Sequence, residues 1–376
     1  MGVFNPTITV LMTVYNGGNY LSASIQSILN QAFRDFELLI VDDASTDDSL
    51  KIIQSYGDPR IVIHSNAVNL GQTKSLNVGL RLARGKYIAR MDADDLAFPK
   101  WLEELTAFLE RNSNVAVVSA KAAVITAQRI VGVLNTPTDW PDILLKSLTF
   151  SSINHVGSLM RKHIALEMGG YDEQYHIPAD FHFWSRLIRQ GHRLAVVPRI
   201  LVAIRFHEEN LSRSAAWTRN QKEIISIIRD NVRHLTTYRI EEKEAALLYK
   251  LIYEVHSLDY QEFQQALCIL KGVYYQVKSS LEVESFIERS LIAQEKTVYM
   301  KKIFVCIDKG GLEEIRLFPR DYIRQHGWNN VFLLVWLISF GGTILLRLLP
   351  RIYEQTRWLG AQWKLRCATI PKGIHG

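Results

Sequence analysis

At 376 residues, with a hydrophobic fraction of 48% and a charged fraction of 22%, the chain has the composition of a globular protein larger than one small domain. Its formal net charge of +6 gathers in a basic tail, but no Lys/Arg run with interleaved aromatics and no zinc spacing accompanies it, which argues against a nucleic-acid partner. The three cysteines, Cys268, Cys306 and Cys367, are too scattered for a disulfide framework or a metal site and suit a reducing compartment.

Taken in order, Ile8 to Val14 is an apolar, β-branched run that breaks at Tyr15-Asn-Gly-Gly18, with no charged-then-apolar leader before it, so no secretory signal is expected. A helix over Tyr20–Gln31, a strand Glu37–Val41 and a polar turn with Thr46 or Asp47 as helix cap continue a βαβ pattern. The strand Arg60–His64, a helix ending near Ala83 and the strand Tyr87–Met91 repeat it, and a further helix opens at Pro99, where a proline is tolerated. Nearly apolar strands alternating with helices predict an α/β fold: a mostly parallel, Rossmann-like sheet with helices on both faces.

The later chain changes character. Ile153–Arg161 alternates as a strand carrying His155, Gly169-Gly-Tyr-Asp-Glu173 reads as a turn, and Pro178–Ile188 is an amphipathic helix with Asp180 in capping position. Arg205-Phe-His207 follows a strand at Ile200–Ile204, and the pattern from about Ser214 to Gln294 is helical, with Leu247, Leu248, Leu251 and Ile252 as packing positions. Trp328–Leu346 carries no charged residue over nineteen positions, close to the roughly 20 a bilayer requires. Arg316, Arg320 and Arg324 precede it, and Arg347, Arg351, Arg357, Lys364, Arg366 and Lys372 follow, so a spanning helix, an interfacial helix and a buried core helix all stay open. The expected organisation is a catalytic domain over 1–212, a helical region over 213–296, a linker over 297–327 and a membrane-associating helix with a basic tail over 328–376.

In a parallel sheet ligands bind at the carboxyl ends of the strands, and there the polar residues fall: Thr13, Tyr15 and Asn16, then Asp42 and Asp43, then Asp92 to Asp95. Asp92 and Asp94, two apart on extended backbone, project to one side, and converging carboxylates need a cation such as Mg²⁺ or Mn²⁺. The competing reading is a solvated acidic loop in which Asp95 caps the next helix. Neither a G-x-G-x-x-G nor a Walker phosphate loop is present, so phosphates would have to be held by a metal and side chains.

The succession "TVYN", "VDDASTDDS", "NLGQTKSLNVGL", "GKYIARMDADD", "GGYDEQY" and "ADFHFW" resembles family-two inverting glycosyltransferases with the GT-A fold, over about residues 6 to 210. The resemblance implies that Asp42 meets the N3–H of a uracil or thymine base, and that Thr13 and Tyr15 line the nucleotide pocket. It further implies Lys74 near base or phosphate, Asp92 on the ribose and Asp94 on the metal that bridges the diphosphate. Asp180 would be the general base that takes the acceptor proton opposite the leaving nucleoside diphosphate. His207 would join the metal or phosphate, with a packed or capping histidine as the competing reading; His155 would border the acceptor, with a structural histidine as its competing reading, and His182 would either touch the acceptor or shift the pKa of Asp180. The family pattern Glu-Asp-x-Asp-hydrophobic-Trp is only partly kept: Asp180 and Trp184 stand, but Ala179 and His182 replace acids.

The resemblance implies a metal-dependent inverting glycosyltransferase, its partners a nucleotide-sugar donor (a UDP-sugar is expected) and a saccharide or lipid-linked acceptor, and the apolar segment with its basic flanks adds a membrane surface. The setting would be surface-polysaccharide synthesis at the cytoplasmic face of the inner membrane. A nucleotidyltransferase and a non-catalytic, membrane-associated sugar-binding protein of the same fold are the alternatives.

Overall fold

The computed structural model describes residues 5–126, 129–134, 136–207 and 220–277. The expected linker and the apolar segment 328–346 with its tail lie outside them. Two units form, the first reaching Ile227 and the second beginning at Ile228.

The first unit is built on a nine-stranded sheet. Strands β1 (Ile8–Val14), β2 (Phe36–Asp42), β3 (Ile61–Ser65) and β4 (Tyr87–Arg90) run parallel in the order β3-β2-β1-β4. Their crossovers are helices α1 (Gly18–Leu29), α2 (Ser49–Gln54) and α3 (Gln72–Leu82). Every residue of β1, β2 and β4 is buried, as a parallel sheet covered on both faces requires. The strand order reverses at β1, and the loops after β1 and β4 therefore flank one crevice.

The remaining strands mix directions: β5 (Leu96–Ala97), β6 (Val115–Thr126), β7 (Arg129–Val133), β8 (Leu159–Arg161) and β9 (Arg193–Arg205). Strand β8 is antiparallel to both β4 and β6, β9 is parallel to β6, and β5 and β7 are antiparallel to β9 and β6. Helices α4 (Trp101–Arg111), α5 (Trp140–Ser147), α6 (Lys162–Glu167) and α7 (Ala179–Arg189) complete the unit.

Two local expectations are corrected. The strand anticipated over Ile153–Arg161 is only Leu159–Arg161, because Gly157 takes φ +76 and turns the chain, placing His155 before the strand rather than in it. The N-cap position of α2 falls on Asp48, not Thr46 or Asp47, although Asp47 Oδ1 accepts from the Ser49 backbone N–H at 2.9 Å, Lys100 rather than Asp95 precedes α4, and Asp95 is buried at 2% exposure with a different partner.

The second unit begins within α8 (Gln221–Leu235) and continues through α9 (Glu242–Tyr253) and α10 (Tyr260–Tyr275). Capping boxes, Glu241 with Glu244 and Asp259 with Glu262, start α9 and α10 by satisfying orphan backbone donors. Leu248, Leu251 and Ile252 are buried, and so are Phe263, Ala266 and Leu270 of α10.

Candidate active site

The site assembles where the strands end. Register pairs Val14 with Asp42, so Thr13 and Tyr15 lie beside the end of β2. Thr13 and Asp42 are buried, while the Tyr15 ring is 52% exposed and free to stack on a planar group. Asp42 accepts from the Ser45 backbone at 3.4 Å. Its neighbour Asp43 is spent on the following loop: Oδ1 accepts from Asn66 Nδ2 and Leu70 N, both at 2.8 Å, and Oδ2 from Gly71 N at 2.8 Å. Asn16, at φ +53, ties the two loops together through Oδ1, which accepts from Thr46 N at 2.8 Å and Asp47 N at 3.3 Å. Lys74 is exposed on α3, two residues past Gln72, whose amide reaches Asp92 Oδ1 at 3.4 Å.

Beyond β4 the three carboxylates Asp92, Asp94 and Asp95 each offer an oxygen within 4.8 Å of the others. Strand β9, paired with β5 and β6, brings its end to the same place: His207 Nε2 lies 2.9 Å from Asp94 Oδ2. Arg205 donates from its backbone to Asp95 Oδ1 at 2.7 Å and from Nε to the Asp94 carbonyl at 2.9 Å. Tyr20 of α1 packs against both, with the Arg205 guanidinium 4.6 Å from its ring centre and the His207 ring at 5.0 Å. Burial pushes Asp95 well above the ordinary carboxylate range, with Asp94 and Asp92 adding to the push. Burial also raises Asp92, against the pull of Arg90. Asp94 and His207, an oxygen and an imidazole donor side by side, suit Mn²⁺ or Mg²⁺. Asp95 is committed to the Arg205 backbone and serves the loop.

The opposite wall carries Asp180 in the first turn of α7, where it accepts from Ser151 Oγ at 3.1 Å. Burial raises its pKa; the Phe181 amide and the Ser151 hydroxyl pull it back, and Asp92 adds a smaller push. His155 Nε2 meets the Tyr171 hydroxyl at 2.8 Å, and its ring lies edge-on to Trp184 at 5.9 Å. Burial, helped by Arg90, drives the His155 pKa well below its usual value, so it is neutral at physiological pH. His182, 6% exposed, stacks on Tyr175 at 3.7 Å between centroids.

The structure thus brings Asp94 and His207 together beside Asp92, and sets Asp180 of α7 on Ser151 while His155 meets Tyr171. Three residues escape a sequence reading: Arg90, Arg205 and Tyr171. The single available signal is an arginine closing an otherwise apolar strand, Tyr87-Ile-Ala-Arg90.

The sequence model described as "Glycosyl transferase family 2" matches residues 9–151. An uncharacterized glycosyltransferase of Haemophilus influenzae is 31% identical over 290 residues, covering 74% of this chain and 87% of that protein. The amylovoran biosynthesis glycosyltransferase AmsE of Erwinia amylovora is 24% identical over 221 residues, covering 57% and 82%. Among solved structures, S. aureus TarS 1-349 in complex with UDP-GlcNAc superposes with a TM-score of 0.53 at 18% identity, covering 77% of this chain and 90% of that one. The mannosyltransferase PcManGT from Pyrobaculum calidifontis, in complex with GDP-Man and Mn²⁺, gives 0.52 at 17% identity, covering 79% and 83%. At such identities these two show a likeness of fold.

Proposed function

The chain belongs to glycosyl transferase family 2 and is a glycosyltransferase, and from that premise we propose that it moves a sugar from a UDP-sugar to a saccharide or lipid-linked saccharide, with inversion and with Mn²⁺ or Mg²⁺. Family membership sets the nucleotidyltransferase alternative aside. The carrying observation is the Asp94–His207 pair at 2.9 Å: side chains from distant parts of the chain meet beside Asp92 at the strand ends, where a diphosphate would lie. In this reading Asp94 and His207 hold the metal, which supplies positive charge against the departing diphosphate. Thr13, Tyr15 and Asp42 hold the base, Tyr15 by stacking, and Asp92 the ribose. The exposed Lys74 is a second candidate for the base or phosphates.

Asp180 takes the proton from the acceptor hydroxyl as its oxygen bonds to the anomeric carbon and the bond to the nucleoside diphosphate breaks on the far side. Its raised pKa favours that role, because a base poised nearer neutral accepts a proton more readily than an ordinary carboxylate. Neutral His155 and stacked His182 line the acceptor side. The AmsE relative supports a polysaccharide pathway, and we place the acceptor at the cytoplasmic face of the inner membrane, where residues 328–376 would engage the lipid surface. No helix among the described residues is long and apolar enough to cross a membrane.

Calorimetry with UDP, with Mn²⁺ and with EDTA, tests the donor and metal assignments. Binding should strengthen with Mn²⁺, and Asp94→Ala should lose that gain while keeping the fold. Equal affinity with and without metal would remove Asp94 and His207 from this role, and a preference for GDP would move the donor assignment.

A further inference from the structure

Tyr171 and His155 form a pair whose hydrogens can be placed. Tyr171 is buried, with its ring against Phe183 of α7 at 4.6 Å between centroids. Its hydroxyl lies 2.8 Å from His155 Nε2 and has no other partner among the described residues. The His155 ring is edge-on to Trp184, which follows Asp180 by one turn of α7 and so shares its face of the helix. Burial keeps the imidazole neutral, so one ring nitrogen carries a hydrogen and the other a lone pair. Nδ1 has no partner among the described residues, yet it is not sealed from solvent as the unpaired indole nitrogen of Trp184 is.

The two placements of the imidazole hydrogen differ in what they strand. If Nε2–H donated to the Tyr171 oxygen, the phenolic hydrogen would be buried with no acceptor among the described residues. If the phenol donates to Nε2, every hydrogen has a place: the imidazole hydrogen sits on Nδ1, where water or a ligand oxygen can accept it. A buried donor left unsatisfied bears the full cost of its desolvation, so the second placement wins. Burial also pushes the Tyr171 phenol up, so it keeps the hydrogen it donates.

We propose that Tyr171 is a positioning residue that sets the His155 tautomer, so that the imidazole presents an N–H rather than a lone pair on its reachable side. Such a nitrogen takes an oxygen with lone pairs, the class to which a saccharide hydroxyl belongs. It can hold that oxygen but cannot accept its proton, so proton removal falls to Asp180. What the N–H meets rests on the acceptor reading above; the tautomer does not.

The test uses the full-length protein with ¹⁵N-labelled imidazoles, and the variants Tyr171→Phe and His155→Gln. Long-range ¹H–¹⁵N correlation spectra near neutral pH read the tautomer, and His155→Gln identifies the His155 signals by their loss. In the wild type the nitrogen coupled to both carbon-bound ring hydrogens, Nε2, should be the unprotonated one. In Tyr171→Phe its resonance should move toward that of an imidazole nitrogen with no hydrogen bond. The second measurement is acylation by diethyl pyrocarbonate, read at His155 by peptide mass mapping, because this reagent attacks only a lone pair. His155 should react roughly 10-fold more slowly in the wild type than in Tyr171→Phe, the factor one hydrogen bond contributes when its loss frees the tautomer. A proton on Nε2 in the wild type would overturn the proposal, and so would equal acylation rates in the two proteins. If Tyr171→Phe does not fold, the wild-type spectrum decides by itself; if His155→Gln does not, the signals that move in Tyr171→Phe identify His155. Failure of the acceptor reading is separate: it would show as undiminished transfer by Asp180→Asn, with both tautomer measurements unaffected.

Discussion

Asp180 accepts a side-chain hydrogen bond from the Ser151 hydroxyl, and that contact has a calculable sign. The hydroxyl hydrogen-bonds the carboxylate and so favours the charged form, while burial opposes it and wins. With Asp180 as the proposed base, transfer needs it ionised, so the rate should fall as pH drops through a pKa raised above the ordinary carboxylate value. Ser151→Ala removes a stabilising hydrogen bond, and the acid limb of the kcat profile should move to higher pH. An unmoved limb would mean another group sets it. Neutral His155 should add no limb of its own near neutrality. Asp180→Asn should keep donor binding and lose transfer by about 10² to 10⁴-fold, the range for a general base. The same variant should also be more stable at neutral pH. A carboxyl whose folded pKa is raised contributes stability below its unfolded value, and that contribution is lost as pH rises through the folded value. Thermal melts at pH 7 read this directly: a lower melting temperature for Asp180→Asn would contradict the assigned burial cost. That carboxylates gather at the strand ends was legible from their positions, while the roles proposed for them and for the histidines came from the family resemblance. Arg90 was not legible, because an arginine at a strand end looks like the edge of an apolar run until the fold shows it buried against Asp92.

At the scale of elements, α3 is the part that, in the proposed reading, links the donor and acceptor sides. Its Asn77 reads the backbone of Tyr171 as a neighbouring strand would: Nδ2 donates to the Tyr171 carbonyl at 2.8 Å and Oδ1 accepts from its N–H at 2.9 Å. Thr73 donates to the Tyr175 carbonyl at 3.0 Å. These bonds fix the turn that delivers α7, and with it Asp180. Gly170 sits in that turn at φ +72, and a Cβ there would lie 2.6 Å from Asn77 Oδ1. Gly170→Ala should therefore cost about 1–3 kcal/mol from the backbone conformation and the lost pairing. Its kcat should fall more than its UDP affinity if the donor rests on β1, β2 and β4 as proposed. Chemical denaturation and UDP calorimetry on the one variant separate the two, and an equal loss of both would mean that α3 serves the donor as much as the acceptor. The glycines could be read as a turn from sequence, because they permit positive φ. Their partner could not, since Asn77 lies 94 residues away from Tyr171 and nothing local in "LNVG" marks it. The short β8 was overcalled for a related reason: alternation over Ile153–Arg161 suggested a strand, and the turn at Gly157 overrides alternation.

For the molecule as a whole, the parallel half of the sheet could be read because its strands are buried end to end and alternate with helices at short range. The mixed half could not, because β8 inserts between β4 and β6 through pairings remote in sequence. The same contrast bears on residues 328–346, whose composition is informative though the segment lies outside the described residues. Nineteen uncharged positions flanked by basic residues are expected to favour an anionic bilayer surface through both apolar burial and charge attraction. Packing of the segment onto the protein would use only the first of these. Replacing Leu334 and Leu337 by arginine distinguishes the two. A charge in the middle of a bilayer-facing segment costs about 2.5–3.5 kcal/mol per residue on the insertion scale. If the segment meets lipid, full-length Leu334→Arg/Leu337→Arg should stop floating with vesicles containing anionic phospholipid while keeping its melting temperature and its UDP affinity. If it packs against the protein, flotation should be low from the start and the double substitution should lower the melting temperature. Raising the salt adds a second axis. Attraction by the basic tail is screened within about 10 Å at 0.1 M ionic strength, whereas apolar insertion is not. Flotation that persists in high salt but vanishes with the two arginines would therefore assign the anchoring to the apolar segment and leave the tail the task of choosing the anionic surface.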